Sequence, residues 1–241
     1  MYVQLAKELY WHILGPLAEK RRYYSLEQKH KTGQSLVEFD LDWTQKKFNR
    51  ISVINRIIAG MDRPARYLEI GCAGNLCFNS IAAIDKTGVD PAAGGTHRQT
   101  SDAFFAANDR EFDVVFVDGL HTFEQCRKDA MNALACLKPG GFVAFHDMLP
   151  RNWREEHVPR VQIDWTGDVW RVAAELMETK GIDFRIIEID NGVGVAKKVD
   201  KNVTYHENYD QLSKATFADY VEFRKKMPIH SFQDSYDWFG T

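Results

Sequence analysis

The 241-residue sequence predicts an α/β fold: a doubly wound, mostly parallel sheet closed by an antiparallel hairpin and preceded by N-terminal helices. Three observations carry this reading. From Arg66 onward short apolar runs alternate with segments of helical period, the pattern of strand-helix units around a sheet covered on both faces. The run Phe112 to Val117 is apolar nearly throughout, as a strand buried on both faces should be. Near the end, Phe184–Ile189 and Val193–Ala196 flank Asp190-Asn191-Gly192, and Asn-Gly between two apolar runs is a strong hairpin signal.

Taken in order, residues 1–62 read as an N-terminal helical extension: a lid, an oligomer arm or packing. Leu5, Leu9, Ile13 and Leu17 recur near helical spacing, and a second helix runs through Phe48, Ile51, Ile54, Ile57 and Ile58 to a stop near Gly60. The core spans 63–200. Tyr67–Ile70 is its first strand, followed by a glycine turn and a helix near Leu76–Ile84. Thr87–Asp90 is a second strand ended by Pro91, and a Gly/Ala loop leads to a third around His97–Thr100. After the fourth strand, at Phe112–Val117, comes a helix from Phe123 to Leu137. Thr122 with Gln125 three residues later predicts a capping box at its start. Lys138-Pro139-Gly140-Gly141 breaks the chain before a fifth strand, Phe142–Phe145. Val169–Lys180 is helical, with Gly181 as its stop. The tail, 201–241, carries one short helix from Phe217 to Met227.

Composition bounds the function. Apolar residues make up 44% and charged residues 27%, enough for one core with decorations. The formal net charge is −3, and the basic clusters Lys20–Arg22 and Arg224–Lys226 are short. That argues against a nucleic-acid partner held through phosphates. Cys72, Cys77, Cys126 and Cys136 form no CxxC pair and read as free thiols in a reducing compartment. No stretch reaches the roughly 20 apolar residues of a spanning helix, and the start lacks a signal-peptide pattern. A cytoplasmic protein with a small-molecule partner is the expectation.

In a doubly wound sheet the ligand lies beyond the carboxyl ends of the strands. Those ends hold Glu69 with Gly71, Asp90, Ser101 with Asp102, Asp118, and His146 with Asp147. An edge of acids suits a ligand with hydroxyls and positive charge better than a phosphate. The turn Gly71-Cys72-Ala73-Gly74-Asn75-Leu76 breaks the G-x-G-x-x-G dinucleotide pattern at Ala73 and Leu76. Asp90, about 20 residues on, can accept hydrogen bonds from ribose hydroxyls, as in nicotinamide and S-adenosylmethionine sites alike.

Residues 66–147 resemble class I S-adenosylmethionine-dependent methyltransferases. The likeness rests on Leu68-Glu69-Ile70-Gly71, Gly88-Val89-Asp90-Pro91, Phe112 through Gly119, and Leu137-Lys138-Pro139-Gly140-Gly141. Asp118 through Gln125, Phe145-His146-Asp147 and Trp165 through Trp170 are similar to a subgroup associated with small-molecule, sugar and antibiotic tailoring. Ala73 and Asn75 depart from it, standing where the family usually has glycines. The resemblance implies S-adenosyl-L-methionine as cofactor, with Glu69 and the Gly71–Gly74 backbone at the methionyl group, Asp90 at the ribose, and Ser101 and Asp102 at the adenine, Phe104 packing nearby. Its reaction is then O-methylation of a hydroxyl on a small molecule or sugar. A hydroxyl needs a base or a metal to take its proton. His121 and His146 are candidate bases, while Asp118, His146 and Asp147 are candidate ligands for a divalent metal (Mg, Mn, Fe or Zn). Trp165 and Trp170 are candidates for an aromatic wall, with core packing expected for at least one. The alternatives are a nicotinamide-dependent oxidoreductase and a non-catalytic scaffold of the same fold.

Overall fold

The computed structural model describes residues 15–240. One seven-stranded sheet runs through it in the order β2-β1-β3-β4-β6-β5-β7. The strands are β1 (Arg66–Ile70), β2 (Asp85–Val89), β3 (Phe112–Val117), β4 (Leu137–Phe145), β5 (Ile182–Ile187), β6 (Val193–Lys198) and β7 (Ile229–His230). The first four pair in parallel, and β6 enters antiparallel between β4 and β5. The mostly parallel sheet and its closing hairpin are as expected.

Alternation along the strands divides the core in two. Leu68, Val115 and Val117 face one way and pack with Phe123, Cys126, Ala130 and Leu134 of α5 (Phe123–Ala135) and with Val172, Ala173 and Leu176 of α7 (Trp170–Glu178). Tyr67, Val114 and Phe116 face the other way, against Val53, Ile54 and Ile57 of α2 (Arg50–Ala59). Period 2 in the strands thus meets period 3.6 in the helices. Ile54 and Ile57 have no exposed surface, so truncating either to alanine costs about 2–5 kcal/mol. Helix α2 starts on a capping box, Asn49 with Ser52. It is part of the core, and its first residue, Arg50, is thereby aimed at the carboxyl ends of the strands.

Several local expectations change. The third strand is a single bridge, Val89 to His97: Gly94 and Gly95, both at φ +66°, turn the chain sharply, and α4 (Ser101–Ala107) begins four residues after His97. The helix after the glycine turn is short, α3 (Leu76–Ser80). The Lys138–Gly141 break is absorbed into β4, where pairing jumps from Phe112–Leu137 to Val114–Phe142 and Gly140 takes φ +72°. No capping box forms at Thr122. Asp168, from beyond β4, accepts from the Phe123 amide at 2.5 Å, and the Thr122 amide that Gln125 would have capped donates to the Leu120 carbonyl at 2.8 Å.

Leu5, Leu9 and Ile13 lie outside the described residues. The described part of that helix, α1 (Gly15–His30), leaves Leu17 exposed and meets the body through Glu27 to Arg154 and Tyr23 against Arg160. A short α6 (Trp153–Glu156) follows β4, and the tail forms not one helix but two, α8 (Tyr209–Leu212) and α9 (Phe217–Arg224), before it ends the sheet with β7, parallel to β5, an addition its polar, aromatic sequence does not announce. Among the described residues no helix is long and apolar enough to cross a membrane.

Candidate active site

Strand order reverses between β1 and β3, and a cleft of about 760 Å³ opens at their carboxyl ends. Gly71 forms its floor. At φ +89°, with the Asp118 carbonyl oxygen 2.0 Å from where a Cβ would stand, no other residue fits without moving β1 from β3.

One end of the cleft is tied together by amides. Asp90 accepts from Ala92 and Ala93 at Oδ1 (2.7 and 2.8 Å) and from Ala73 at Oδ2 (2.9 Å). These bonds outweigh burial and hold its carboxyl below the usual range. Ala73 and Asn75, where the resembled family has glycines, keep positive φ at 42° and 64°, and asparagine is among the residues that tolerate this region best. Asn75 also gains something glycine lacks: its Oδ1 accepts from the Gly95 amide at 2.7 Å, locking the loop after β2 to the turn after β1. Ser101 and Asp102 line this end with Gln125. Phe104 is buried below, edge-on to His97. Glu69 and Gly74 do not line the cleft. Glu69 lies fully buried under the turn, with Tyr67 Oη donating to its Oε2 at 2.5 Å and Oε1 unpartnered. Burial pushes its pKa up to about 6.

The other end is made of charges. Asp118, His121 and Asp147 place ligand atoms within 4.8 Å of one another. His121 Nδ1 is 3.0 Å from Asp147 Oδ2, and its Nε2 3.5 Å from Asp118 Oδ1. Burial opposes charge on this ring, but hydrogen bonds to Asp118 and Asp147 prevail and raise its pKa to about 10. Asp118 is held below the usual carboxylate range despite its burial by the imidazoles beside it, His146 ahead of His121. Trp165 stacks on His121 with ring centroids 5.4 Å apart, while Trp170 is core, its indole donating to Glu156. Gly167, at φ +64°, lets its segment press against the His121 carbonyl, which a Cβ would meet at 1.7 Å.

His146 stands beside this cluster in a different role from the one expected. Its Nδ1 is 3.1 Å from Asp147 Oδ1 and 3.3 Å from Asp118 Oδ1, and Arg50 Nη1 is 2.6 Å from its Nε2. An arginine can only donate, so Nε2 is the acceptor and the proton sits on Nδ1. Asp147 and Asp118 raise the pKa of the ring against its burial, while Arg50 at Nε2 opposes a second proton there. Both rings thus face the two aspartates, and what sets His146 apart from His121 is Arg50 on its second nitrogen. Asp147 caps no helix; it takes φ +64°.

Arg50, Asp190 and Asn191 complete this end and were not foreseen. Asp190 Oδ2 accepts from the Arg50 amide (3.0 Å) and from its guanidinium (3.2 Å), and Asn191 Nδ2 donates to Asp147 Oδ1 at 3.1 Å. In sequence the turn chemistry of Asp190-Asn191-Gly192 already accounts for both residues, and Arg50 stands in what reads as an ordinary helix. Leu120 and Ile163 add exposed apolar surface to the cleft wall.

A doubly wound sheet with an acid at the end of β2 and a glycine turn after β1 defines an enzyme class that binds a nucleoside cofactor at the switch point. The family described as "Methyltransferase domain" matches residues 23–148, just over half of the chain, and the chain belongs to it: it is a class I S-adenosylmethionine-dependent methyltransferase. That membership displaces the nicotinamide alternative. Similar solved structures include an O-methyltransferase from Bacillus cereus in complex with SAH (12% identity, 80% of this chain and 97% of that one, TM-score 0.46). The SAH-bound methyltransferase PaMTH1 from Podospora anserina is similar too (16%, 76% and 88%, TM-score 0.49). So is the O-methyltransferase TomG from Streptomyces achromogenes, involved in tomaymycin synthesis, with SAM (15%, 76% and 90%, TM-score 0.47). No curated protein matches the chain.

Proposed function

We propose that the enzyme methylates a hydroxyl oxygen of a small acceptor, assisted by a divalent cation held by Asp118, His121 and Asp147. The observation that carries this is the convergence of two carboxylates and an imidazole on one point of the cleft that the cofactor would share. Three further features fit a cation there. Asp118, Asp147 and Asp190 gather around a single arginine. His121 is kept protonated by the same aspartates a cation would bind. The set of two oxygens and one nitrogen suits manganese, iron or zinc better than magnesium. Bound there, such an ion supplies positive charge that lowers the pKa of an acceptor hydroxyl.

The chain's own residues supply orientation. Asp90 retains acceptor capacity beyond its three amides and is suited to a ribose hydroxyl. Ser101 and Asp102 sit at the adenine end, and the close Gly71 backbone admits the methionyl portion. Arg50 and Asn191 hold His146 and Asp147 in place. A reading in which His121 acts alone as the base is disfavoured by its high pKa, since the ring is already protonated at neutral pH. A reducing compartment is consistent with four free cysteines. The test combines calorimetry with S-adenosylhomocysteine and a mass-spectrometric screen of hydroxylated acceptors, run with added manganese and after chelation. Products gaining one methyl only when metal is present support the proposal. Full turnover in metal-free protein rejects the cation.

A further inference from the structure

The residue expected to cap α5 performs no capping, and its actual surroundings point to a function. Gln125 Nε2 has three acceptors within reach of its two hydrogens, Asp102 Oδ1 at 2.9 Å, Ser101 Oγ at 3.1 Å and Asp129 Oδ1 at 3.2 Å. An amide nitrogen has two hydrogens and no acceptor capacity, while a carboxylate oxygen beside it accepts. Two carboxylates on one side therefore fix the orientation of the amide, because turning it over would set Oε1 against both. Asp129 is buried, so its Oδ1 has no water to replace the amide as a partner. The hydrogen-bonding capacity left over is that of Gln125 Oε1, in a residue that lines the cleft beside Ser101 and Asp102.

We infer that Gln125 is a specificity-determining residue for the base of the cofactor, its Oε1 accepting from the exocyclic amine of adenine. This rests on the S-adenosylmethionine reading of the cleft and extends it. The surrounding carboxylates give the preference its sign. A 6-amino purine offers a donor to Oε1, whereas a 6-oxo purine presents an oxygen and leaves two acceptors facing each other. Sites built around one directed hydrogen bond reject analogues that cannot make it more strongly than apolar pockets reject a change of size.

Calorimetry on the full chain with S-adenosylhomocysteine and S-inosylhomocysteine tests this. The unmodified protein should prefer the adenosyl compound by about tenfold or more, the value of one such bond. Gln125→Leu and Gln125→Met, the second retaining side-chain length and helix propensity, should bring the two affinities within about threefold, mainly by weakening the adenosyl ligand. A glutamine that only ties α5 to α4 predicts equal weakening of both ligands. An unchanged ratio in a folded variant overturns the role of Gln125 while leaving the cofactor reading intact. Failure of the unmodified protein to bind either compound overturns both.

Discussion

The two ends of the cleft are built from different materials. At the end around Asp90 the groups come mostly from residues 71–102 and are tied by backbone amides: three on Asp90, and one from Gly95 on Asn75. At the end around Asp118 they come from positions 50, 118, 121, 146, 147, 165, 190 and 191, and side chains hold one another mainly through charge. A backbone-built site is set by local geometry and responds little to pH. A charge-built site changes its hydrogen bonds with every proton or cation gained, and it tolerates the loss of a member poorly because a buried ion is left uncompensated.

Substitutions separate the two ends. The largest effect is expected at the floor they share. Gly71→Ala puts a methyl into the Asp118 carbonyl and imposes left-handed backbone on alanine, destabilising the fold by about 4 kcal/mol or more and removing S-adenosylhomocysteine binding. A normal melt with normal binding would show that β1 and β3 can part without cost.

His121→Ala should leave S-adenosylhomocysteine affinity near normal while cutting turnover on the order of 10² or more and abolishing manganese binding, followed by electron paramagnetic resonance. Cofactor affinity falling in step with turnover would mean that the two ends are not separable. Asp90→Ala is the mirror experiment. It should weaken S-adenosylhomocysteine by roughly 1.5–3 kcal/mol, the range for a hydrogen bond to a charged group, and leave manganese binding unchanged. Unchanged cofactor affinity in a folded protein removes Asp90 from the ribose.

The smallest effect is on stability. His121 has its folded pKa raised from 6.5 to about 10, so the contribution of its protonated ring is complete below about pH 6.5 and is lost as pH rises through 10. Chemical denaturation in chelator from pH 6 to 10 should show a steeper loss for the unmodified protein than for His121→Phe. Parallel profiles would place the compensating proton elsewhere in the cluster.

Legibility in the sequence follows the same division. The alternation after Arg66, the apolar run at 112–117 and the Asp190-Asn191-Gly192 turn sufficed for the parallel sheet and its hairpin, because period and turn chemistry act over a few residues. Glu69, Gly71, Asp90, Ser101, Asp102, Asp118, His146 and Asp147 could be marked as strand-end residues for the same reason. Local rules could not say which side chains meet. That β6 runs beside β4, bringing Asp190 to His146 and Asn191 to Asp147, is a matter of sheet order. That Arg50 occupies His146 Nε2, leaving His121 to complete the triad with Asp118 and Asp147, depends on how α2 docks on the sheet. Asp168 reaches the Phe123 amide from 45 residues away, and Gln125, which with Thr122 promises a cap, instead meets Ser101 and Asp102 where α5 packs beside α4. Patterning and propensity act along the chain, whereas hydrogen bonds between distant side chains exist only once packing has set their distance.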